Sequence, residues 1–72
     1  MLNKNKLLGA IVSAGMTQNQ VAAQIGVSKN TFSAKMNGKT CFDTDQIERI
    51  CAVVGITDPM EKADIFLSQS SQ

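Results

Sequence analysis

One stretch of this chain leaves few folds open: Thr17 to Thr40, TQNQVAAQIGVSKNTFSAKMNGKT. It holds two segments of helical spacing, each begun by a capping residue and closed by a glycine. Thr17 has Gln20 three residues on, a capping box in which each side chain satisfies the other's backbone N–H. Val21, Ala22 and Ile25 then share one helical face over about Gln18 to Ile25. Gly26 sits where the turn needs a positive φ, a conformation in which a Cβ would cost about 1 kcal/mol. Val27 is expected to tuck inward. Ser28 caps a second helix over about Lys29 to Asn37, in which Phe32 and Met36, four apart, face inward, and Gly38 ends it.

The flanking segments extend the same pattern. A helix is expected from about Asn3 to Ala14, with Leu7, Leu8, Ile11 and Val12 as its apolar stripe and Gly15 at its end. Another is expected from about Thr44 to Val54, capped by Asp43 or Thr44, with Ile47, Ile50, Cys51 and Val54 inward and Gly55 after it. Asp58-Pro59-Met60-Glu61 reads as an N-cap, a proline at the first helical position and a glutamate at the third, a strong start signal for a fifth helix. Met60, Ala63, Ile65, Phe66 and Leu67 supply its apolar surface. No segment alternates with period two. The chain reads as all-α, five helices in one domain over residues 1–67, followed by a polar tail, SQSSQ, at 68–72.

With 72 residues, the chain is near the lower size at which a core forms without staples, and its 43% apolar content suits a globular fold. No apolar run approaches the ~18 residues of a membrane helix. The opening MLNKNKLLGAIVSAG superficially resembles a signal peptide, but its apolar core is brief and it carries the first helix; a cytoplasmic location is expected. Cys41 and Cys51 lie ten apart with no histidine and no CxxC in the chain, a set unsuited to zinc. Cys51 reads as a small core residue and Cys41 as partly exposed; a disulfide between them is possible but unneeded. Without histidine there is no ready general base, neither cysteine has an activating partner nearby, and no glycine-rich phosphate loop appears. The expectation is a protein that is not an enzyme, with no cofactor, metal or small-molecule ligand.

Charge is divided along the chain. Residues 1–40 contain Lys4, Lys6, Lys29, Lys35 and Lys39 and no acid. Residues 41–72 contain Asp43, Asp45, Glu48, Asp58, Glu61 and Asp64 against Arg49 and Lys62. The net +1 hides this split. DNA carries a negative charge every ~1.7 Å of axis, and a one-sided positive surface matches it.

Two short helices joined by a tight turn form a helix-turn-helix, whose second helix enters the major groove. On that helix Lys29, Asn30, Ser33 and Ala34 are the candidate base-reading residues. Lysine donates to guanine O6 and N7, asparagine pairs with adenine, serine suits several bases, and an alanine methyl can touch a thymine methyl. Gln18, at the N-terminus of the preceding helix, is placed to bind a phosphate or to brace Asn30. Asn37, Lys39 and Thr40 cluster after the reading helix and suit a second phosphate; Ser28, Thr31 and Lys35 are further phosphate candidates. Lys4 and Lys6 read as ordinary helix-surface charges.

The same stretch resembles the helix-turn-helix of the Cro/CI (XRE-like) phage repressor family. The matching residues are Thr17-Gln18, Ala22, Gly26-Val27-Ser28, Phe32 and Asn37-Gly38-Lys39, and the resemblance extends over about residues 3–55. FSAKMNGK, ITDP and the closing IFL look most like short single-domain Cro-like or repressor-like proteins of temperate phages. The resemblance implies a five-helix lambda-repressor-like domain that binds a palindromic operator as a homodimer. Its base-reading positions fall on Lys29, Asn30 and Ser33, and its phosphate contacts on Gln18, Asn37, Lys39 and Thr40. This chain departs from the family at three places. Lys35 stands where many members are apolar, and Met36 and Ile11 stand where many have a glutamate paired with an arginine. An Ile11–Met36 apolar contact is expected in place of that ion pair.

The expected partner is double-stranded DNA. A monomer offers too few base-reading side chains for specificity over a genome, so a homodimer is expected, with Met60, Phe66 and Leu67 as candidate interface residues. The competing reading is a protein-interaction module, such as an antirepressor, on the same scaffold; a DNA-architectural factor is a third.

Overall fold

A computed structural model describes residues 2–67; the polar tail at 68–72 lies outside the described residues. Five helices follow one another: α1 (Lys4–Ser13), α2 (Gln18–Ile25), α3 (Lys29–Met36), α4 (Thr44–Val54) and α5 (Pro59–Phe66). The described residues contain no strand, and none of their helices is long and apolar enough to cross a membrane. The all-α, five-helix expectation holds.

The sequence sets the helix ends through its capping chemistry. Asn3 caps α1 by accepting from the Lys6 N–H, and Ser28 caps α3 by accepting from the Thr31 N–H. Both expected types of start are present in full: the Thr17–Gln20 capping box on α2, and Asp58 with Pro59 on α5. Between Asp43 and Thr44 the structure selects Asp43 as the cap of α4, because Gln46 returns the second bond of a capping box. Such caps satisfy N–H groups that have no partner within the helix.

The first four helices share one closure. A glycine of positive φ follows each, and the next residue sends its N–H back to the carbonyl five positions earlier: Met16 to Ile11, Val27 to Ala22, Lys39 to Ala34 and Ile56 to Cys51. This 6→1 bond is the Schellman geometry, usually accompanied by an apolar contact from the returning residue. Met16, Val27 and Ile56 make that contact, packing on or within the core. The exception follows α3, where the returning residue is Lys39 and is exposed. At Gly26 the requirement is conformational, with φ at 81°; an added Cβ would find only Arg49 Nη1, at 4.0 Å.

α2 packs against both α3 and α4, and α1 touches α2, α4 and α5. The core beneath them contains Leu7, Ile11, Val21, Ala22, Ile25, Phe32, Met36, Ile50 and Ile65, with no polar or charged residue buried among the described residues. Ile11 and Met36 both lie in this cluster, so an arginine–glutamate pair at these positions would sit in an apolar environment. The start of α1 is tied to the end of α5, since the Asn3 N–H donates to the Ile65 carbonyl at 2.6 Å. Cys51 is a buried free thiol, its pKa pushed up mainly by burial, and Cys41 is exposed.

Two expectations need correction here. Val12 is 72% exposed and does not belong to the α1 stripe. Leu7 and Ile11 lie about 40° apart around the helix, whereas Val12 is about 100° beyond Ile11, off the buried arc. Phe66, a candidate for the dimer interface, is a core residue only 7% exposed. Phe42, which belongs to no helical stripe, explains why. It lies in the loop between α3 and α4, 5.5 Å from the Phe32 ring and 6.1 Å, edge-to-face, from the Phe66 ring. The three rings tie α3 to α5 through the loop. Truncation at the middle ring removes both contacts, so Phe42→Ala is expected to destabilise the domain by about 3–5 kcal/mol. Urea unfolding followed by circular dichroism measures this, and a loss under ~1 kcal/mol would show the loop ring to be dispensable.

Candidate nucleic-acid interface

α3 is held from below and left bare above. Phe32 and Met36 are buried beneath it, and Val27 in the turn is half-buried beside them. Helical spacing then turns Lys29, Asn30, Ser33 and Asn37 outward, and all four are exposed. Ala34 is half-buried at the margin of this face. The face carries no carboxylate, and the acids of the chain begin only at Asp43. A helix presenting lysine, asparagine and serine on one edge can donate to the acceptors of guanine and adenine in a major groove.

The residues around this face differ in freedom. Ser28 and Thr31 are exposed but pinned to each other: the Ser28 hydroxyl donates to Thr31 Oγ1 at 2.9 Å while accepting from the Thr31 N–H at 3.1 Å. Gln18 is exposed as the first residue of α2, at a helix end where the capping box pairs the Thr17 and Gln20 N–H groups and the first-turn N–H groups lack intrahelical carbonyls. Lys39 and Thr40 are exposed on the exit from α3. Asn37, Lys39 and Thr40 thus lie at the C-terminal end of the outer face of α3, and Gln18 is exposed at the start of α2.

Lys35 is engaged elsewhere, contrary to its expected place among the phosphate contacts. It is half-buried, its ammonium donates to the Cys41 carbonyl at 2.8 Å, and it lies 6.0 Å above the Phe42 ring. The reason is geometric: Lys35 is two residues beyond Ser33, about 200° around the helix, and so points toward the returning loop. It clips that loop to α3.

The two lysines of α1, alike in sequence, also part company. Lys6 pairs with Asp64 of α5 at 3.5 Å, an exposed contact worth roughly 0–1 kcal/mol. Lys4 instead reaches the far end of α3, where its ammonium donates to Asn37 Oδ1 at 2.7 Å. Sequence reasoning missed this contact, because it joins residues 33 positions apart and no local pattern signals it. On the opposite side of the charge split, Lys62 is bonded to Glu48, which holds the Lys62 pKa above its ordinary value.

The helix-turn-helix domain family model matches residues 12–63, from within α1 into α5. The chain belongs to this family. No curated protein and no solved structure matches it. The helix-turn-helix thus comprises α2, the turn at Gly26 and α3, with α1, α4 and α5 supporting it. Of the apolar residues expected at an interface on α5, Met60 and Leu67 are on the surface, 77% and 60% exposed, while Phe66 is not.

The Lys35 clip carries a stability prediction. Lys35→Met keeps the length of the side chain but loses the bond to the Cys41 carbonyl, and is expected to cost about 1 kcal/mol. Lys29→Met, on the outer face of the same helix, is expected to change stability by less than ~0.5 kcal/mol. Parallel urea titrations compare the two; equal effects would remove the clip as a structural feature.

Proposed function

We propose that this protein is a sequence-specific DNA-binding transcriptional regulator, a phage or prophage protein of Cro-like or repressor-like type. α3 lies in the major groove with Lys29, Asn30 and Ser33 toward base edges and Ala34 at the margin. Gln18, Asn37, Lys39 and Thr40 hold the flanking phosphates and set the register. The carrying observation is the outer face of α3, exposed, free of acids and fixed from beneath by Phe32 and Met36. Ser28 and Thr31 act mainly through the helix cap.

The operator is palindromic and the protein binds it as a homodimer. One α3 offers only a few base-reading side chains, too little to discriminate among genomic sites, whereas two copies read half-sites about one helical turn, ~34 Å, apart. Met60 on α5 and Leu67 just after it, both exposed apolar residues, form the contact between copies. The site of action is the cytoplasm, where the DNA is.

Selection of bound duplexes from a random pool at ~150 mM salt tests this reading. An enriched palindrome is the expected result; no enrichment, with binding that collapses as salt rises, would overturn it in favour of non-specific attraction or a protein partner. On the selected site, Asn30→Ala is expected to cost ~1–3 kcal/mol at one base pair and to relax its identity. Lys39→Ala should weaken all duplexes about equally and lower the salt slope by ~1. Titrations against matched and mutated duplexes separate the two behaviours, and a uniform loss for Asn30→Ala would remove it from the reading set.

A further inference from the structure

The Lys4 contact fixes more than its own position. An ammonium group has donors and no acceptor, so the Asn37 atom 2.7 Å from Lys4 Nζ must be the amide oxygen. That settles the orientation of an amide whose two ends are otherwise hard to tell apart. The nitrogen end then faces Ser33, with Asn37 Nδ2 3.5 Å from Ser33 Oγ. Asn37 and Ser33 are one helical turn apart, so the line Lys4, Asn37, Ser33 runs from the start of α1, across the end of α3, to the middle of its outer face. All three residues are exposed, and the ammonium uses one of its three donors on Asn37.

We infer that Lys4 is a DNA-contacting and positioning residue: it donates to a backbone phosphate at the C-terminal end of α3 and orients Asn37 so that the Ser33 hydroxyl is presented to the base as a donor. With Asn37 Nδ2 donating into Ser33 Oγ, one oxygen lone pair is occupied and the O–H is left to point outward. Such a serine favours a base showing an acceptor, such as guanine O6 or N7 or thymine O4, over the amino edge of cytosine. The inference rests on the DNA-reading function proposed above and deepens it by adding a residue from outside the helix-turn-helix. Lys6, two residues on, is the internal control, because its ammonium is directed to Asp64 instead.

The test compares Lys4→Met, Lys4→Arg and Lys6→Met with the parent on the operator recovered by duplex selection. Lys4 is exposed and its backbone role in α1 does not depend on the side chain, so thermal unfolding of Lys4→Met should match the parent. Lys4→Met is expected to lower affinity roughly tenfold. It should reduce the slope of log affinity against log salt by about 0.9 and broaden the base preference at the position Ser33 reads. Lys4→Arg retains a charge of the same sign and should restore the slope; Lys6→Met should leave both readouts at parental values. An unchanged salt slope or an unchanged base profile for Lys4→Met overturns the inference. If the parent itself selects no motif, the failure belongs to the proposed function; if the parent is specific and Lys4→Met is indistinguishable from it, only the role of Lys4 fails.

Discussion

The seating of Phe32 is the contact on which the presented surface depends. α3 has only eight residues, too few to be stable alone in water, and its helicity comes from what it packs on. Two side chains, Phe32 and Met36, attach it to the core, and the Phe42 ring closes over Phe32 from the following loop. Because Phe42 also meets Phe66, α3 is braced by the last helix of the fold. An outer face that can be entirely polar follows from an inner face that is entirely apolar. Helical spacing separates the two by about half a turn.

Electrostatics is arranged by the fold more sharply than along the chain. The lysines divide into those facing away from the core around α3, at 29 and 39, and those committed to internal partners. Lys35 is held by the Cys41 carbonyl, Lys6 by Asp64 and Lys62 by Glu48, and Lys4 bonds the Asn37 amide oxygen at the edge of the α3 face. Among the acids of α4 and α5, Glu48 and Asp64 thus hold cations of their own. Lys39 illustrates how one change of side chain within a repeated motif moves the returning residue from the core to the surface. The three other Schellman closures return an apolar side chain to the core, and this one returns a cation to the surface beside α3. The backbone bond is the same in all four; only the side chain decides whether the returning residue packs on the core or stays at the surface.

The helices and most of the outer face were legible because local rules govern them. Capping residues, turn glycines and the spacing of Val21, Ala22, Ile25, Phe32 and Met36 act within a few positions and are visible as pattern. They placed α2 and α4 at their observed bounds, and α3 to within a residue. They also placed Lys29, Asn30 and Ser33 together on the exposed side. The misreadings arose where a side chain answers to a distant partner. Phe66 was assigned to an interface by counting apolar residues on α5, and Lys35 to phosphate by its charge. Both depend on the loop between α3 and α4, which has no periodicity to read.

The sequence by itself therefore determined the five helices, the tight turn at Gly26 and the composition of the α3 face, because hydrogen-bond caps and apolar spacing act over three or four residues. Only the tertiary structure decided which cations remain available and which apolar side chains remain outside. Phe42 entering the core, Lys35 turning to the loop, Lys6 to α5 and Lys4 to Asn37 are all pairings between segments. Their geometry is set by how the helices pack against one another, and no local arrangement of residues along the chain encodes it.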